Sequence, residues 1–193
     1  VYIAATVWGA GSQQPYGGRD VWIRKLEPDF QMVWDKFIGS TSMEIDPVIA
    51  VDDSANHFYV AGDTYGDLGT LSAGASTGRS DIFVGEFAAS DATIQWVTRV
   101  GSMQDDQSED VAVASTGQVY MTGKTEGVLP GHMRVSRVDG ILMNFDRAGT
   151  RKSTTVLDKV GNSRPRGMAI DAENRVYVVG RAGRAVYLKR MAP

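Results

Sequence analysis

Three features are scarce in this chain of 193 residues: cysteine, histidine and long apolar runs. The absence of cysteine excludes a disulfide framework, a thiolate metal site and a cysteine nucleophile. Two histidines, His57 and His132, do not make a zinc ligand set when cysteine is absent. Because no apolar stretch approaches the roughly 20 residues of a membrane helix, we expect no membrane insertion.

The chain also lacks a marked excess of either charge. Its formal net charge is −3 and its isoelectric point is near 5.4. The basic residues are scattered, apart from a group at Arg181, Arg184, Lys189 and Arg190. These values give no electrostatic footprint for a nucleic-acid partner. A hydrophobic content of 42% and a charged content of 22% are typical of a soluble globular domain, and the length suffices for one domain with a core.

Residues 48–101 form one complete copy of a unit that the rest of the chain repeats. Four short runs, here named a, b, c and d, cover residues 48–51, 58–62, 81–87 and 94–101. Each run is rich in β-branched and aromatic residues and is bounded by turn-forming residues. The unit is therefore predicted to form four strands.

The same pattern recurs at a nearly constant period. The b runs start at residues 1, 58, 119 and 176, which are 57, 61 and 57 residues apart, and three d runs end at glycine. Self-similarity at this period, with four strands per unit, predicts an all-β fold, a β-propeller of antiparallel blades. The units cover about 1–47, 48–109, 110–166 and 167–193, in the order b-c-d, a-b-c-d, a-b-c-d, a-b-c, which makes fourteen strands.

Three segments carry a family resemblance: IAVDDSANHFYVAGDT, DVAVASTGQVYMTGKT and GMAIDAENRVYVVGRA. They resemble the seven-bladed beta-propeller repeat, or SBBP repeat, family over nearly all of residues 1–190. The resemblance implies the propeller fold and, because the family is common in surface and secreted proteins, an extracellular or cell-surface location. It transfers no catalytic residue, cofactor or metal ligand to this chain.

Two patterns predict how the strands are covered and where partners bind. The b strands are apolar on both sides of the pleat, so both faces of each sheet must be covered. In an up-and-down blade the b–c and d–a connections lie at one end, called here the long-loop end. They are predicted at 8–19, 63–80 and 124–138 and at 39–47, 101–110 and 161–167. This end is the expected binding surface.

The polar candidates each have a structural and a chemical interpretation. For His57 and His132 the expectation is a structural or solvent-exposed role. Carboxylates cluster at Asp52 and Asp53 and again at Asp105, Asp106, Glu109 and Asp110. Their oxygens suit Ca²⁺, but the spacing matches no calcium loop, so a solvated acidic loop is favoured and Ca²⁺ binding at Asp105, Asp106 and Asp110 stays open.

An arginine precedes the aspartate that opens strand c in three units: Arg19 and Asp20, Arg79 and Asp81, Arg137 and Asp139. The favoured interpretation is an Arg–carboxylate clamp in each blade, and the alternative is a repeated ring of ligand-binding groups. Trp22, Trp34 and Trp96 are expected to pack between blades. Trp8, Tyr16 and Tyr65 in the long loops are candidates for a contact surface.

These observations favour a non-catalytic scaffold or protein-interaction module with a protein partner or larger assembly. A glycan-binding or adhesive module that uses the loop aromatics is the alternative. An enzyme is less favoured, because the inner strands offer only Asp46, Asp52, Asp110 and Asp171 to a central channel. No catalytic, cofactor-binding or metal-binding residue is assigned.

The number of predicted strands indicates whether the chain can form a complete ring of blades. The first unit lacks strand a and the last lacks strand d, so the chain holds about three and a half blades and its end blades expose apolar faces. We therefore expect it to be a segment of a longer polypeptide that closes a ring of six to eight blades.

Overall fold

The computed structural model describes residues 1–8, 17–52, 54, 56–68, 78–158 and 161–191. Across these residues the chain is all-β, with fourteen strands and no helix. None of the described segments, accordingly, is an apolar helix of membrane-spanning length. The strands are β1 (Tyr2–Trp8), β2 (Arg19–Leu26), β3 (Met32–Ile38), β4 (Glu44–Asp52), β5 (His57–Thr64), β6 (Asp81–Ala88), β7 (Ile94–Val100), β8 (Asp106–Val113), β9 (Val119–Thr125), β10 (Asp139–Phe145), β11 (Arg151–Val156), β12 (Ser163–Ile170), β13 (Val176–Ala182) and β14 (Ala185–Met191).

The strands form four antiparallel sheets in which sequence neighbours pair. Sheet 1 contains β1–β3, sheet 2 contains β4–β7, sheet 3 contains β8–β11 and sheet 4 contains β12–β14. This confirms the predicted antiparallel strand order. The short turns also repeat, since each a–b turn places Asn56, Gly117 or Asn174 at positive φ. Asparagine and glycine are the residues that adopt this conformation most readily.

Consecutive sheets pack face to face through three apolar clusters. Sheets 1 and 2 share a cluster that contains Ile23, Phe58 and Phe83; sheets 2 and 3 share one that contains Tyr59, Met121 and Met143; sheets 3 and 4 share one that contains Tyr120 and Val178. Sheets 2 and 3 are therefore covered on both faces, as the apolar b strands predict.

Equivalent residues of the b strands pair with equivalent residues of the a strands. Tyr59, Tyr120 and Tyr177 occupy equivalent register positions, opposite Ala50, Ala112 and Ala169 of the a strands. On the other face Val60, Met121 and Val178 are fully buried. This confirms the predicted equivalence of the units.

The a strands begin earlier than the sequence pattern indicates. β4, β8 and β12 start at Glu44, Asp106 and Ser163, so the d–a connections are shorter than predicted. Each a strand contains an irregularity in register, between Ile45 and Val48, Ser108 and Asp110, and Pro165 and Gly167. These polar or proline-containing bulges hide the first half of the strand from a search for apolar runs.

The b–c and d–a connections meet at one end, as expected. The amide of Gly18 donates to the carbonyl of Ser42, that of Asp106 to Ser80, and that of Ser163 to Val138. Each of these bonds joins the start of a c strand to the connection that leads into the next sheet. The a–b and c–d turns lie at the opposite end, called here the short-turn end.

Among the described residues, no further sheet packs against the outer faces of the first and last sheets. On sheet 4 the exposed residues include Val179, Val186 and Leu188, and on sheet 1 Ile3 is exposed. Register pairs Val179 with Leu188, so these two side chains share a face.

Candidate functional site

A group of polar and aromatic side chains lies at the short-turn end, between sheets 2 and 3. It surrounds an open cleft of about 680 Å³, called here the histidine cleft. The lining residues are Asp52, His57, Tyr59, Glu86, Gln95, Trp96, Arg147 and Ala148. This location differs from the long-loop end, which the loop lengths had favoured as the binding surface.

Glu86 is the buried centre of the histidine cleft. One carboxylate oxygen lies 2.5 Å from Nδ1 of His57, and the other accepts the indole N–H of Trp96 at 2.5 Å. Burial, together with the negative charges of Glu86 and Asp52, raises the pKa of Tyr59 to about 12. The phenol is therefore a neutral hydrogen-bond donor at physiological pH.

The contact of His57 with Glu86 was not indicated by the sequence, which predicted only a structural or solvent-exposed role for this histidine. Cross-strand register brings them together: His57 pairs with Ala88, and Tyr59, two residues further along on the same face, pairs with Glu86. A carboxylate that holds one ring nitrogen fixes the tautomer and orientation of an imidazole. The described lining contains no serine, threonine, cysteine or lysine to serve as a nucleophile. The arrangement is thus suited to orienting a bound polar group.

A second cleft lies at the bulges of the a strands, near the long-loop end, and is called here the bulge cleft. Its volume is about 380 Å³ and its lining is mostly polar and charged. The lining residues are Asp46, Pro47, Val48, Asp63, Gln107, Ser108, Glu109, Lys124 and Arg166.

Asp63 is the buried acid of the bulge cleft. Its Oδ1 accepts the amide of Ser108 at 2.7 Å and the hydroxyl of Ser108 at 2.9 Å. Burial raises the pKa of Asp63 to about 7 despite these bonds, and the nearby Asp46 adds to the increase.

His132 has the structural role that was expected. It is buried, and its Nε2 lies 3.3 Å from Asp139. Asp139 also accepts the amides of Val135 and Ser136, both at 2.8 Å. Burial alone would raise the pKa of Asp139, but these hydrogen bonds outweigh it and hold the pKa below its usual value. The group fixes the loop before β10.

The acidic cluster separates into residues with different roles. Asp106 is buried, so it is no part of a solvated loop; its carboxylate accepts the amide of Ser102 at 2.5 Å. The Glu44 carboxylate likewise accepts the amide of Ser40 in the preceding d–a connection. An acid at the start of strand a therefore holds the d–a connection in both units. Asp110 accepts the amide of Met168, and Glu109 pairs with Arg166.

The carboxylates do not converge on a common point. Among the described residues no group of three or more His, Cys, Asp or Glu side chains is arranged to hold a metal ion. The inner-strand aspartates are dispersed as well: Asp46 lines the bulge cleft, Asp52 lines the histidine cleft, and Asp171 bonds Arg175 and Tyr177. Asp53 lies outside the described residues.

The expected Arg–carboxylate clamp is present in one unit, where Arg79 pairs with Asp105 in the connection to the next sheet. Arg79 is exposed and lies 3.7 Å from Asp105, and Arg19 stacks over Trp8 at 3.9 Å. Arg137 is exposed. The constant feature is the aspartate, because Asp20, Asp81 and Asp139 are all fully buried.

Asp81 shows what such an aspartate contacts. Its ionic partner is Arg99 from the end of β7, at 3.7 Å, and both side chains are buried. A Cβ on Gly101 would overlap the Asp81 carboxylate, which requires glycine at the end of strand d. Arg99 could not be predicted from the repeat, because its position on β7 has no arginine in the other units.

Two of the three strand tryptophans join sheets. Trp34 donates its indole N–H to the carbonyl of Ala89 at 3.3 Å, and Trp96 donates to that of Arg147 at 3.1 Å. These carbonyls occupy equivalent turns of the following sheet. Trp22 lies instead on the outer face of sheet 1, where it bonds Asp35 and contacts Arg24. The described residues place no second sheet against Trp22, so its packing between blades stays a prediction.

The loop aromatics are only partly described. Trp8 is 71% exposed, Tyr65 is half-buried, and Tyr16 lies outside the described residues. No protein-family model matches the chain, and no curated protein matches it.

Proposed function

We propose that the four sheets are consecutive blades of a β-propeller of the SBBP-repeat type and that the protein is a non-catalytic interaction scaffold. Further blades complete a ring of six to eight, within a surface or secreted protein or assembly. Face-to-face packing of sheets in chain order supports this proposal, as does the contact of β4 with β8 and of β8 with β12. Adjacent a strands are what a common axis would require.

The observation that best supports the proposal is that the outer face of sheet 4 exposes apolar side chains, whereas the equivalent faces of sheets 1–3 are each covered by the next sheet. In sheets 1–3, Tyr2, Tyr59 and Tyr120 point toward the following sheet and pack against it. Tyr177 holds the equivalent position on sheet 4, where Val186 and Leu188 are 80% and 72% exposed. The exposed Arg181 and Arg190 share this face, so it combines apolar and basic side chains. A group of large exposed apolar side chains marks an interaction surface.

The residue pattern supports one kind of occupant for this face, a further sheet of the same repeat. Every interface within the chain joins the tyrosine-bearing face of one sheet to the opposite face of the next. The free face of sheet 1 is of that opposite type, with Ile3, Trp22 and Phe37 on it. A second copy can therefore supply the matching sheet by packing head to tail, which is a heterologous contact that closes a ring or propagates.

Sedimentation velocity over a range of protein concentrations tests this proposal. We expect concentration-dependent association that Val186→Lys and Leu188→Lys abolish, because each places a charge in the apolar contact. Met133→Lys is the matched control, since Met133 is 84% exposed in a loop away from the face. A monomer at every concentration, or association that survives both changes, would contradict head-to-tail packing.

Glycan binding is the second candidate, and the exposure of Trp8 favours it. An exposed indole at the long-loop end offers an apolar surface with a polar edge. Glycan-array binding should be lost in Trp8→Ala and retained in Phe30→Ala. Phe30 is equally exposed, at 71%, but lies in a c–d turn at the short-turn end. Equal behaviour of the two variants would exclude this role for Trp8.

A further inference from the structure

Each c strand carries, near the short-turn end, one side chain on the face that bears the tyrosine of its b strand. Register places four residues at this position: Lys25, Glu86, Asn144 and Arg190. In sheet 1 the ammonium group of Lys25 donates to the carbonyl of Ala89 at 2.7 Å. Because Ala89 belongs to the c–d turn of sheet 2, a cation at this position joins its sheet to the next one.

The carbonyl that accepts this bond has an equivalent in each described c–d turn. The first residue of each turn donates its amide back across the turn, which aligns the residues that follow it: Pro28, Ala89 and Arg147. The carbonyl of Ala89 accepts Lys25 and the indole N–H of Trp34. The carbonyl of Arg147 accepts the indole N–H of Trp96. The carbonyl of Pro28, in contrast, accepts no hydrogen bond from any described residue.

Arg190 is a donor at the same position without an acceptor. It is exposed on the outer face of sheet 4, next to Tyr177, and it forms no hydrogen bond or ion pair with the described residues. The free face of sheet 4 therefore holds a cationic donor without its carbonyl. The c–d turn of sheet 1 holds a carbonyl without its donor.

The turn that contains Pro28 is also acidic. Glu27 and Asp29 flank Pro28, all three residues are exposed, and neither carboxylate pairs with a described basic side chain. These three residues are called here the acidic turn. The equivalent turn of sheet 3 carries the cation Arg147, which would repel an arginine. A guanidinium group presents several N–H donors in a fixed geometry, so it can bond a carbonyl and a carboxylate together.

We propose that Arg190 of one copy binds the acidic turn of a second copy and that this contact determines which faces of the two copies meet. The inference rests on the proposed head-to-tail packing of sheet 4 against sheet 1. The apolar side chains Val186 and Leu188 supply burial, which has no preferred direction. A charge-assisted hydrogen bond does have a preferred geometry, so Arg190 orients the two sheets as Lys25 orients sheets 1 and 2.

Sedimentation velocity of the whole chain at low salt, over a range of concentrations, tests this contact. Arg190→Met should weaken association about 10-fold, because a hydrogen bond to a charged group is lost. Arg190→Lys should retain most of the affinity, since Lys25 makes the equivalent bond. Arg79→Met removes the same charge from an exposed site between sheets 2 and 3 and should have no effect. Association of the unaltered protein should weaken as salt rises.

Charge reversal identifies the partner of Arg190. Arg190→Glu should weaken association further than Arg190→Met, because it faces two carboxylates, and adding Glu27→Lys in the same chain should recover much of the loss. Circular dichroism checks that each variant is folded. Unchanged association in folded Arg190→Met, or a charge reversal that Glu27→Lys does not rescue, would overturn this contact and leave head-to-tail packing intact. A protein that does not associate at any concentration would overturn both.

Discussion

Adjacent valines in β13 offer a direct measurement of how each face of sheet 4 is covered. Val178 is fully buried in the cluster shared with Tyr120, Leu142 and Leu157 of sheet 3. Val179, the next residue, points to the outer face and is 42% exposed. Val178→Ala and Val179→Ala remove the same two methyl groups from the same strand, so the loss of β propensity is common to both.

The two substitutions should differ in magnitude because only one leaves a cavity. At about 0.8 kcal/mol per buried carbon, two methyl groups contribute about 1.6 kcal/mol, and the cavity adds to this. We therefore expect Val178→Ala to lower the free energy of unfolding by about 1.5–3 kcal/mol. For Val179, which is partly exposed already, the loss should be about 1 kcal/mol or less. For a domain of this size 1 kcal/mol corresponds to roughly 2–4 °C in Tm.

Urea unfolding followed by circular dichroism measures both losses, at a low and a high protein concentration. In dilute solution Val178→Ala should be the more destabilising change. At high concentration the effect of Val179→Ala should grow if a second copy covers the outer face, since folding and association are then linked. Equal losses in dilute protein would refute the assignment of the two faces.

Three further predictions concern single contacts. Asp106→Ala should lower the free energy of unfolding by about 2–3 kcal/mol, because the buried amide of Ser102 loses a charged acceptor, whereas Asp105→Ala should change it by less than about 1 kcal/mol in the same urea assay. Absorbance titration should show Tyr59 ionising near pH 12; since this pKa lies above the unfolded value of 10.0, its stabilising effect is present below pH 10, falls as the pH rises from 10 to about 12, and is missing in Tyr59→Phe. Trp96→Phe removes an N–H donated to both Glu86 and Arg147 and should destabilise by about 1–3 kcal/mol in thermal unfolding, more than Trp22→Phe, which loses one bond to Asp35 on the outer face.

The strand order could be predicted because the sequence pattern of the strands and turns recurs in several units. Apolar b runs, the glycines after strand d and the turn residues Asn56, Gly117 and Asn174 recur in the same order. Each is a local signal that depends on a few neighbouring residues. The starts of the a strands could not be found in this way. Their first residues are polar and include a bulge, so they show neither alternation nor a continuous apolar run.

The contacts between charged or polar side chains of neighbouring strands were not predictable for a different reason. His57 and Glu86 are 29 positions apart, and Asp81 and Arg99 are 18 positions apart. Their contact depends on which residues of neighbouring strands face each other, and a shift of one residue would move every side chain to the other face. Arg79 lies close to Asp81 in the sequence, but at the strand end its side chain points to solvent and to Asp105.

Sheet 2 departs from the residue pattern of the other sheets at two places. Register places Gln118 and Arg175 near the position of His57, and Lys25, Asn144 and Arg190 at that of Glu86, so only sheet 2 has the histidine–carboxylate pair. Asp63 is the only acid at its position in the b strand, which Thr6, Lys124 and Arg181 occupy in the other three units. Both departures lie on β5, one near each end of the strand. Each lines a cleft toward sheet 3, which is why binding chemistry is expected at this interface more than at the equivalent ones.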